Sequence, residues 1–386
     1  MVKGERCNLG QYFTTHSYLQ SAVSELILNK PSRILEPSVG VGDLALHVQN
    51  VLPQTITFDM YEIDNTLELH TEMRDPVIYG DFIDMNIKRK YSTIIGNPPY
   101  VKTQHGNLYI DFIAKCFSLL SNKGELIFIV PSDFIKLTSA KDIINKMMEC
   151  GTFTHMLHPH NEKLFANASI DVIVFRYCKD TSLPNRIMLN GEDKYLINHN
   201  GVLTFSKDDQ VTSKCLSDYF NIYVGMVTGK ESVFKNATHG NIDILNAKNK
   251  VERYILVREF PSENGQLNEY MLSHKDELMS RKIKRFGEHN WFEWGALRNY
   301  AAIRKHMNTS CIYVSTLTRE KTVCFKESVQ LFGGGLIMMV PKEKMSNDEL
   351  LKVIGHINSD DFKSNYTYSN RFKIGHRQLS NAIFEL

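Results

Sequence analysis

Between residues 33 and 177, short runs rich in β-branched and aromatic residues alternate with longer stretches whose apolar positions recur at helical spacing. The runs RILEP (33–37), TFDMYEI (57–63), PVIYGDF (76–82), YSTIIGN (91–97), GELIFIVP (124–131) and IDVIVFRY (170–177) predict strands. SYLQSAVSELIL (17–28), LYIDFIAKCFSLL (108–120) and SAKDIINKMMEC (139–150) predict amphipathic helices, and a further helix is expected from Asp43. Strands that alternate with helices form βαβ units. The expected fold class is therefore α/β, a doubly wound, mostly parallel, Rossmann-like sheet. Ligands of such sheets sit beyond the carboxyl ends of the strands, so the residues at each strand tip matter most.

Near residue 180 the rhythm fades. KDTSLPN is polar and turn-rich, as a linker would be, and beyond it the segments are mixed and irregular. A chain of 386 residues exceeds one ordinary core. The expectation is two domains, 1–183 and 184–386, the second a mixed α+β unit. Hydrophobic content of 42%, charged content of 23% and a formal charge of +2 suit a soluble globular protein. That balance neither demands nor excludes a nucleic-acid partner. Seven scattered cysteines without C-x-x-C spacing favour reduced thiols over a disulfide frame or zinc site. The opening MVKGERCNLGQYF has no apolar h-region, and no apolar run approaches the roughly 20 residues of a bilayer span. The expectation is a cytoplasmic protein with no membrane partner.

The strand tips carry the chemistry. In ILEPSVGVGDLALHV (34–48) a strand ends at Glu36-Pro37, Gly40-x-Gly42 turns the chain, and a helix starts. Glycine permits close approach of the backbone to a ligand. Gly40-x-Gly42-x-x-Ala45 also fits the dinucleotide fingerprint, or a plain strand-to-helix turn without ligand. Glu62 ends the next strand, about where an acid for a ribose diol is expected. Asp81 ends the third; its carboxylate can accept from an adenine amino group while Phe82 packs on the ring. Each acid alone also fits a solvated loop. Three successive tips together describe a pocket for an adenosine-containing cofactor.

The fourth strand delivers Asn97-Pro98-Pro99-Tyr100 to the same edge. Neither proline can donate a backbone hydrogen bond, so the strand stops in a rigid, donor-poor corner. An exocyclic amine on a flat base is a poor nucleophile, because its lone pair is delocalised into the ring. The Asn97 side-chain oxygen and the Pro98 carbonyl can accept its two N–H groups and favour a tetrahedral nitrogen, which stabilises charge developing in the transition state. Tyr100 offers a ring for stacking. The corner suits amine activation without a strong base or covalent nucleophile.

This series resembles the γ group of S-adenosylmethionine-dependent N6-adenine DNA methyltransferases, including type II restriction-modification methylases. The resemblance covers the first half closely and the second in outline. GQYFTTHSYLQSAV (10–23) resembles the first motif, implying that Thr14 contacts the methionine moiety. LEPSVGVG implies cofactor contacts at Glu36, Pro37, Ser38 and Gly40. Glu62 and Ile63, and Asp81 with Phe82, match the ribose and adenine contacts; NLYIDF implies Phe112 as a second wall of the adenine pocket, and Asn97 is shared between cofactor and target. LFANASIDVIVFRY (164–177) resembles the late motif, implying that Phe165 stacks opposite Tyr100 on a flipped base. The implied catalytic residues are Asn97, Pro98, Tyr100 and Phe165, and the implied reaction is direct methyl transfer to adenine N6 in double-stranded DNA. A monomer is expected, with a cognate restriction endonuclease acting at the same site but no stable complex.

Asn-Pro-Pro-Tyr also occurs in methyltransferases of RNA bases and of release-factor glutamine, which stand as alternatives. A catalytically silent DNA-binding subunit and a nucleotide-dependent dehydrogenase are further rivals.

For the second half, RKIKRFGEHNWFEWGALRNYAAIRK (281–305) interleaves basic and aromatic residues, and NYTYSNRFKIGHRQL (365–379) adds cations without an acid. Candidate DNA contacts are Lys282, Lys284, Arg285, Trp291, Trp294, Arg298, Arg371 and Lys373. The alternative is a solvated basic face over an aromatic mini-core. HMLHPH brings three histidines without nearby cysteine, so no metal site is expected and the stretch reads as a loop beside the base pocket.

Overall fold

Successive side chains of a strand point to opposite faces, and the buried strands of this chain use both. Ile34, Ile95, Ile127 and Ile129 pack with Leu19 and Val23 of helix α1 (Ser17–Glu25) and Leu44 and Val48 of α2 (Asp43–Val51). Their neighbours Leu35, Ile94, Leu126 and Phe128 pack with Ile113 and Phe117 of α3 (Leu108–Leu119) and Ile144 and Met147 of α4 (Lys141–Cys150). Apolar runs with no polar alternation are thus what a sheet covered on both faces requires. The doubly wound fold follows.

The computed structural model describes residues 10–103, 106–165, 168–207 and 214–386. They fall into two units, 1–211 and 212–386. The first holds β1 (Arg33–Glu36), β2 (Thr57–Glu62), β3 (Val77–Tyr79), β4 (Tyr91–Gly96), β5 (Leu120–Pro131), β6 (Thr152–Leu157), β7 (Val172–Cys178), β8 (Arg186–Leu189), β9 (Glu192–His199) and β10 (Val202–Ser206). They form one sheet in the order β10-β9-β8-β6-β7-β5-β4-β1-β2-β3. Pairing is parallel from β3 through β5 and between β6 and β8, and antiparallel around β7 and in the β8–β10 meander.

The break near 183 moves. KDTSLPN is a turn inside the first unit, because Met188 and Leu189 pair with His155 and Met156 while Ile187, Leu196 and Leu203 join its core. The division falls near 211, about 28 residues beyond the expected linker.

The second unit is mixed α+β. Strands β11 (Phe220–Val224), β14 (Ser310–Ser315), β15 (Cys324–Ser328) and β16 (Leu336–Pro341) form an antiparallel sheet in the order β11-β16-β14-β15. A hairpin of β12 (Ile242–Ala247) and β13 (Lys250–Tyr254) and the helices α5 (Gly265–Ser273) and α6 (Asn347–Asn358) complete its larger elements. Gly333 threads between two segments: its N–H donates to Leu245 and it bridges Met226, and a Cβ there would stand 2.4 Å from the Asn246 side-chain oxygen. A side chain at 333 would force the Asn246 amide, which donates to Glu252 and Tyr254, to shift. Among the described residues no helix is long and apolar enough to cross a membrane, and six cysteines are free; Cys7 lies outside the described residues.

One buried charge ties the first unit together. Glu125, fully buried on β5, accepts from the Arg176 Nε at 2.8 Å, the Thr93 hydroxyl at 2.9 Å and the N–H groups of Leu28 and Asn29 just past α1. Removing one partner of such a pair strands the other charge, so Glu125→Met is expected to cost about 3–5 kcal/mol in urea unfolding. Glu125→Met combined with Arg176→Met should cost less than Glu125→Met alone. A double variant as unstable as the sum of the two single ones would refute the pairing.

Candidate active site

The tips of β1, β2 and β4, the turns after β2 and β3, and the segment before α1 meet around one pocket. Thr14, Glu36, Pro37, Ser38, Gly40, Glu62, Ile63, Asp81, Phe82, Asn97 and Phe112 all line it. Their gathering follows from the parallel strands β1, β2, β3 and β4, which end on the same edge. Gly40 and Gly42 both take positive φ, +61° and +92°, so the turn into α2 needs glycine. Glu62 fixes that turn: one carboxylate oxygen accepts from Gly40 N–H at 2.8 Å, and the other from Ile63 and Asp64, each at 3.0 Å. A carboxylate has roughly four acceptor positions, so about one remains for a ligand hydroxyl.

Glu36 is 2% exposed, and its Oε2 has no hydrogen-bond partner among the described residues. Burial raises its pKa well above the usual carboxylate range, and Asp43 and Glu62 raise it further by like charge. Asp43, at the start of α2, is held by His70 at 2.9 Å. The exposed Asp81 accepts from Ile83 N–H at 2.8 Å, which shapes the turn after β3. Lys115 of α3 donates to the carbonyls of Phe82, Ile83 and Met85 and holds the same turn from beneath. Phe82 and Phe112 stack on each other, centroids 5.5 Å apart, so they form one apolar patch rather than two facing walls.

At the corner after β4 the Asn97 amide is fixed in both senses. Its N–H groups donate to the Tyr12 carbonyl at 2.6 Å and the Thr14 hydroxyl at 3.1 Å. Its oxygen accepts the Tyr100 hydroxyl at 2.6 Å. The amide therefore cannot flip without losing partners, and its oxygen keeps a second lone pair. Pro98 is buried, and among the described residues no donor reaches its carbonyl. The Tyr100 hydroxyl lies within 3.1 Å of the Ile129 carbonyl as well; burial, with Tyr109 and Tyr12 nearby, pushes it well above the ordinary phenol value. Phe165 stands edge-to-face to Tyr100 at 6.3 Å.

The loop that carries Phe165 is anchored by His158, bonded to Asp171 at 2.9 Å, with Ser132 on the same carboxylate at 2.7 Å. His160 packs on His158, while His155 lies on β6.

In the second unit Trp291 and Trp294 are 2% and 3% exposed. Trp294 donates its indole N–H to the Ile255 carbonyl, and Trp291 packs edge-on against Phe260. Both belong to the aromatic mini-core, which leaves no face for a base and corrects their reading as DNA contacts. Arg281 is likewise structural: its guanidinium donates to the Leu278, Thr228, Trp291 and Glu293 carbonyls. Lys282, Lys284, Arg285, Arg298 and Lys373 are exposed, Lys284 paired with Glu293, and Arg371 is half-buried on a short strand.

The sequence reading missed Tyr12, Phe13 and Asp43 as pocket residues. Tyr12 and Phe13 stand beside Thr14, and their spacing in GQYFTT was the one available signal.

The family model described as "Eco57I restriction-modification methylase" matches residues 53–165. The type II methyltransferase M.HincII of Haemophilus influenzae is 28% identical over 217 residues, covering 50% of this chain and 42% of that protein. M.MjaIV of Methanocaldococcus jannaschii, also a type II methyltransferase, is 26% identical over 200 residues, 45% of this chain and 65% of its own. The chain spans about two fifths of the length of the first curated relatives it matches. Among solved structures, the type IIL restriction-modification enzyme MmeI in complex with DNA aligns over 99% of this chain and 69% of its own, with a TM-score of 0.65 at 9% identity. At that identity the likeness is one of fold. The resemblance to restriction-modification methyltransferases therefore stands, and residues 53–165 carry the Eco57I restriction-modification methylase domain.

Proposed function

We propose that the chain is an S-adenosylmethionine-dependent DNA methyltransferase that modifies N6 of a flipped-out adenine, as the modification enzyme of a type II restriction system. The observation that carries this reading is the Asn97 amide, pinned with its oxygen turned to Tyr100 at the rim of a pocket lined by buried acids.

The pocket fits the cofactor on its own terms. A buried carboxyl oxygen without a partner is costly, and a cationic group satisfies it. The glycine turn offers backbone where a side chain would intrude, and the Phe82–Phe112 patch supports a flat ring. S-adenosylmethionine supplies a sulfonium-bound methyl group, whose C–S bond breaks with its electron pair on sulfur. Glu36 would hold a cationic part, Glu62 the ribose, Asp81 with Phe82 the adenine, and Thr14 the methionine end.

The chain's residues then act on the target. Asn97 Oδ1 and the Pro98 carbonyl accept the two amine N–H groups and expose the nitrogen lone pair, which forms the new N–C bond. Both acceptors are neutral, so they orient the departing proton without taking it, and it leaves to water. Tyr100 and Phe165 hold the ring. A stacked adenine could not reach them, so the base leaves the duplex. Positioning supplies most of the acceleration. Lys282, Lys284, Arg285, Arg298, Arg371 and Lys373 serve as phosphate contacts. The second reading, transfer to an RNA base or a protein glutamine amide, uses the same corner.

Tritiated S-adenosylmethionine offered with unmethylated DNA, RNA and release factor is expected to label DNA, at N6 of adenine on hydrolysis. Label confined to RNA or protein would sink the DNA reading. Asn97→Ala should cut kcat by about 10²–10³, the scale of losing one preorganised polar group, and normal turnover would disprove the clamp.

Glu36 adds a pH dependence with a defined sign. Its pKa is raised in the free protein, and a bound cation lowers it, so binding releases a proton and tightens as pH rises through the raised pKa. Calorimetry over a pH series, in buffers of different ionisation enthalpy, should show proton release that grows as pH falls through the raised pKa and that Glu36→Gln abolishes. Release unchanged in that variant would assign the proton elsewhere.

A further inference from the structure

Tyr100 and Phe165 do not stand alone. The ring of Tyr12 lies 5.4 Å from Tyr100 and 5.7 Å from Phe165, against 6.3 Å between those two, so the three centroids form a nearly equilateral triangle. A purine held between two parallel rings needs about 7 Å, twice a stacking contact. Here Tyr100 and Phe165 are nearly perpendicular, at 81°, and Tyr12 packs against both. Tyr12 also lines the pocket, and its carbonyl receives the Asn97 amide at 2.6 Å. Gly10, two residues earlier, is pressed to the corner: its carbonyl faces Tyr100 N–H, and a Cβ there would meet Val101 at 2.3 Å. The backbone of Tyr12 is thus fixed at the pocket, while its ring packs against both Tyr100 and Phe165.

We infer that Tyr12 is a specificity-determining residue, the third wall of the target-base slot. It fills the slot's open side when no base is present, and it bounds the base edge when Tyr100 and Phe165 turn parallel to receive it. The inference rests on the base-methylation reading above. The ring acts on the base and not on the cofactor, so the two sides separate in measurement.

The test compares wild type with Tyr12→Ala and Tyr12→Phe, whose shared backbone keeps the Asn97 contact. Methylated positions are first located by sequencing plasmid DNA modified by the wild type. With a duplex of that sequence, Tyr12→Ala should lower kcat about tenfold and methylate additional positions, and Tyr12→Phe should restore both to within about threefold. Without cofactor, a duplex carrying 2-aminopurine at the target position should emit more strongly with Tyr12→Ala, because the extruded base is less enclosed. Calorimetric affinity for S-adenosylmethionine, whose pocket Tyr12 also lines, should fall by much less than kcat does. Unchanged emission and positions would overturn the inference, and so would a cofactor affinity that falls in step with kcat, placing the ring in the cofactor wall. A wild type that labels no DNA would overturn the methylation reading and this inference with it.

Discussion

A primary amide has two N–H groups and one carbonyl, and at residue 97 all are engaged in fixed directions. The segment before α1 returns to the tip of β4 and accepts both donors through Tyr12 and Thr14. The chain thereby joins residues more than 80 positions apart at one side chain. That link orients the carbonyl, places Thr14 at the pocket and sets Tyr12 beside Tyr100. The two prolines contribute by subtraction, since neither offers an N–H to compete for the acceptors around them. The corner is rigid because its hydrogen bonds are few and directed, and they leave one acceptor position on Asn97 open.

One acid of the pocket works against folding. Glu36 is buried beside Asp43 and Glu62, and in isolation that arrangement favours its neutral form. Strain kept at a site is commonly part of its function. The first unit offsets the burden with a large two-faced core, and it holds a second buried carboxylate, Glu125, whose acceptors are satisfied. The contrast between the two glutamates is instructive. One has every partner in the chain, and the other keeps an unpartnered oxygen in a residue that lines the pocket.

Much of this was legible in the sequence. Six strands and four helices appear where the apolar periodicity puts them, because strands covered on both faces leave long apolar runs. The pocket residues could be read because parallel strands deliver their tips to one edge, so position along the sequence encodes position in space. Contacts that depend on distant pairing were hidden. Nothing near Glu125 announces Arg176, and nothing near KDTSLPN announces that β8 pairs with β6. The tryptophans misled for a different reason. Basic residues beside aromatics resemble a nucleic-acid surface, but the aromatic faces turn inward while Lys282 and Arg285 turn out, a distinction that needs the fold.

The meander of β8, β9 and β10 bears on how such chains exchange parts. Recombination between relatives succeeds where few contacts cross the seam. A crossover at the polar turn near 183 would strip β6 of its neighbour and leave an open sheet edge, a template for association between copies. A crossover near 211 keeps the ten-stranded sheet whole. The structural module is therefore longer than its recognisable motifs, and a second half grafted onto this first one should leave the meander with the first.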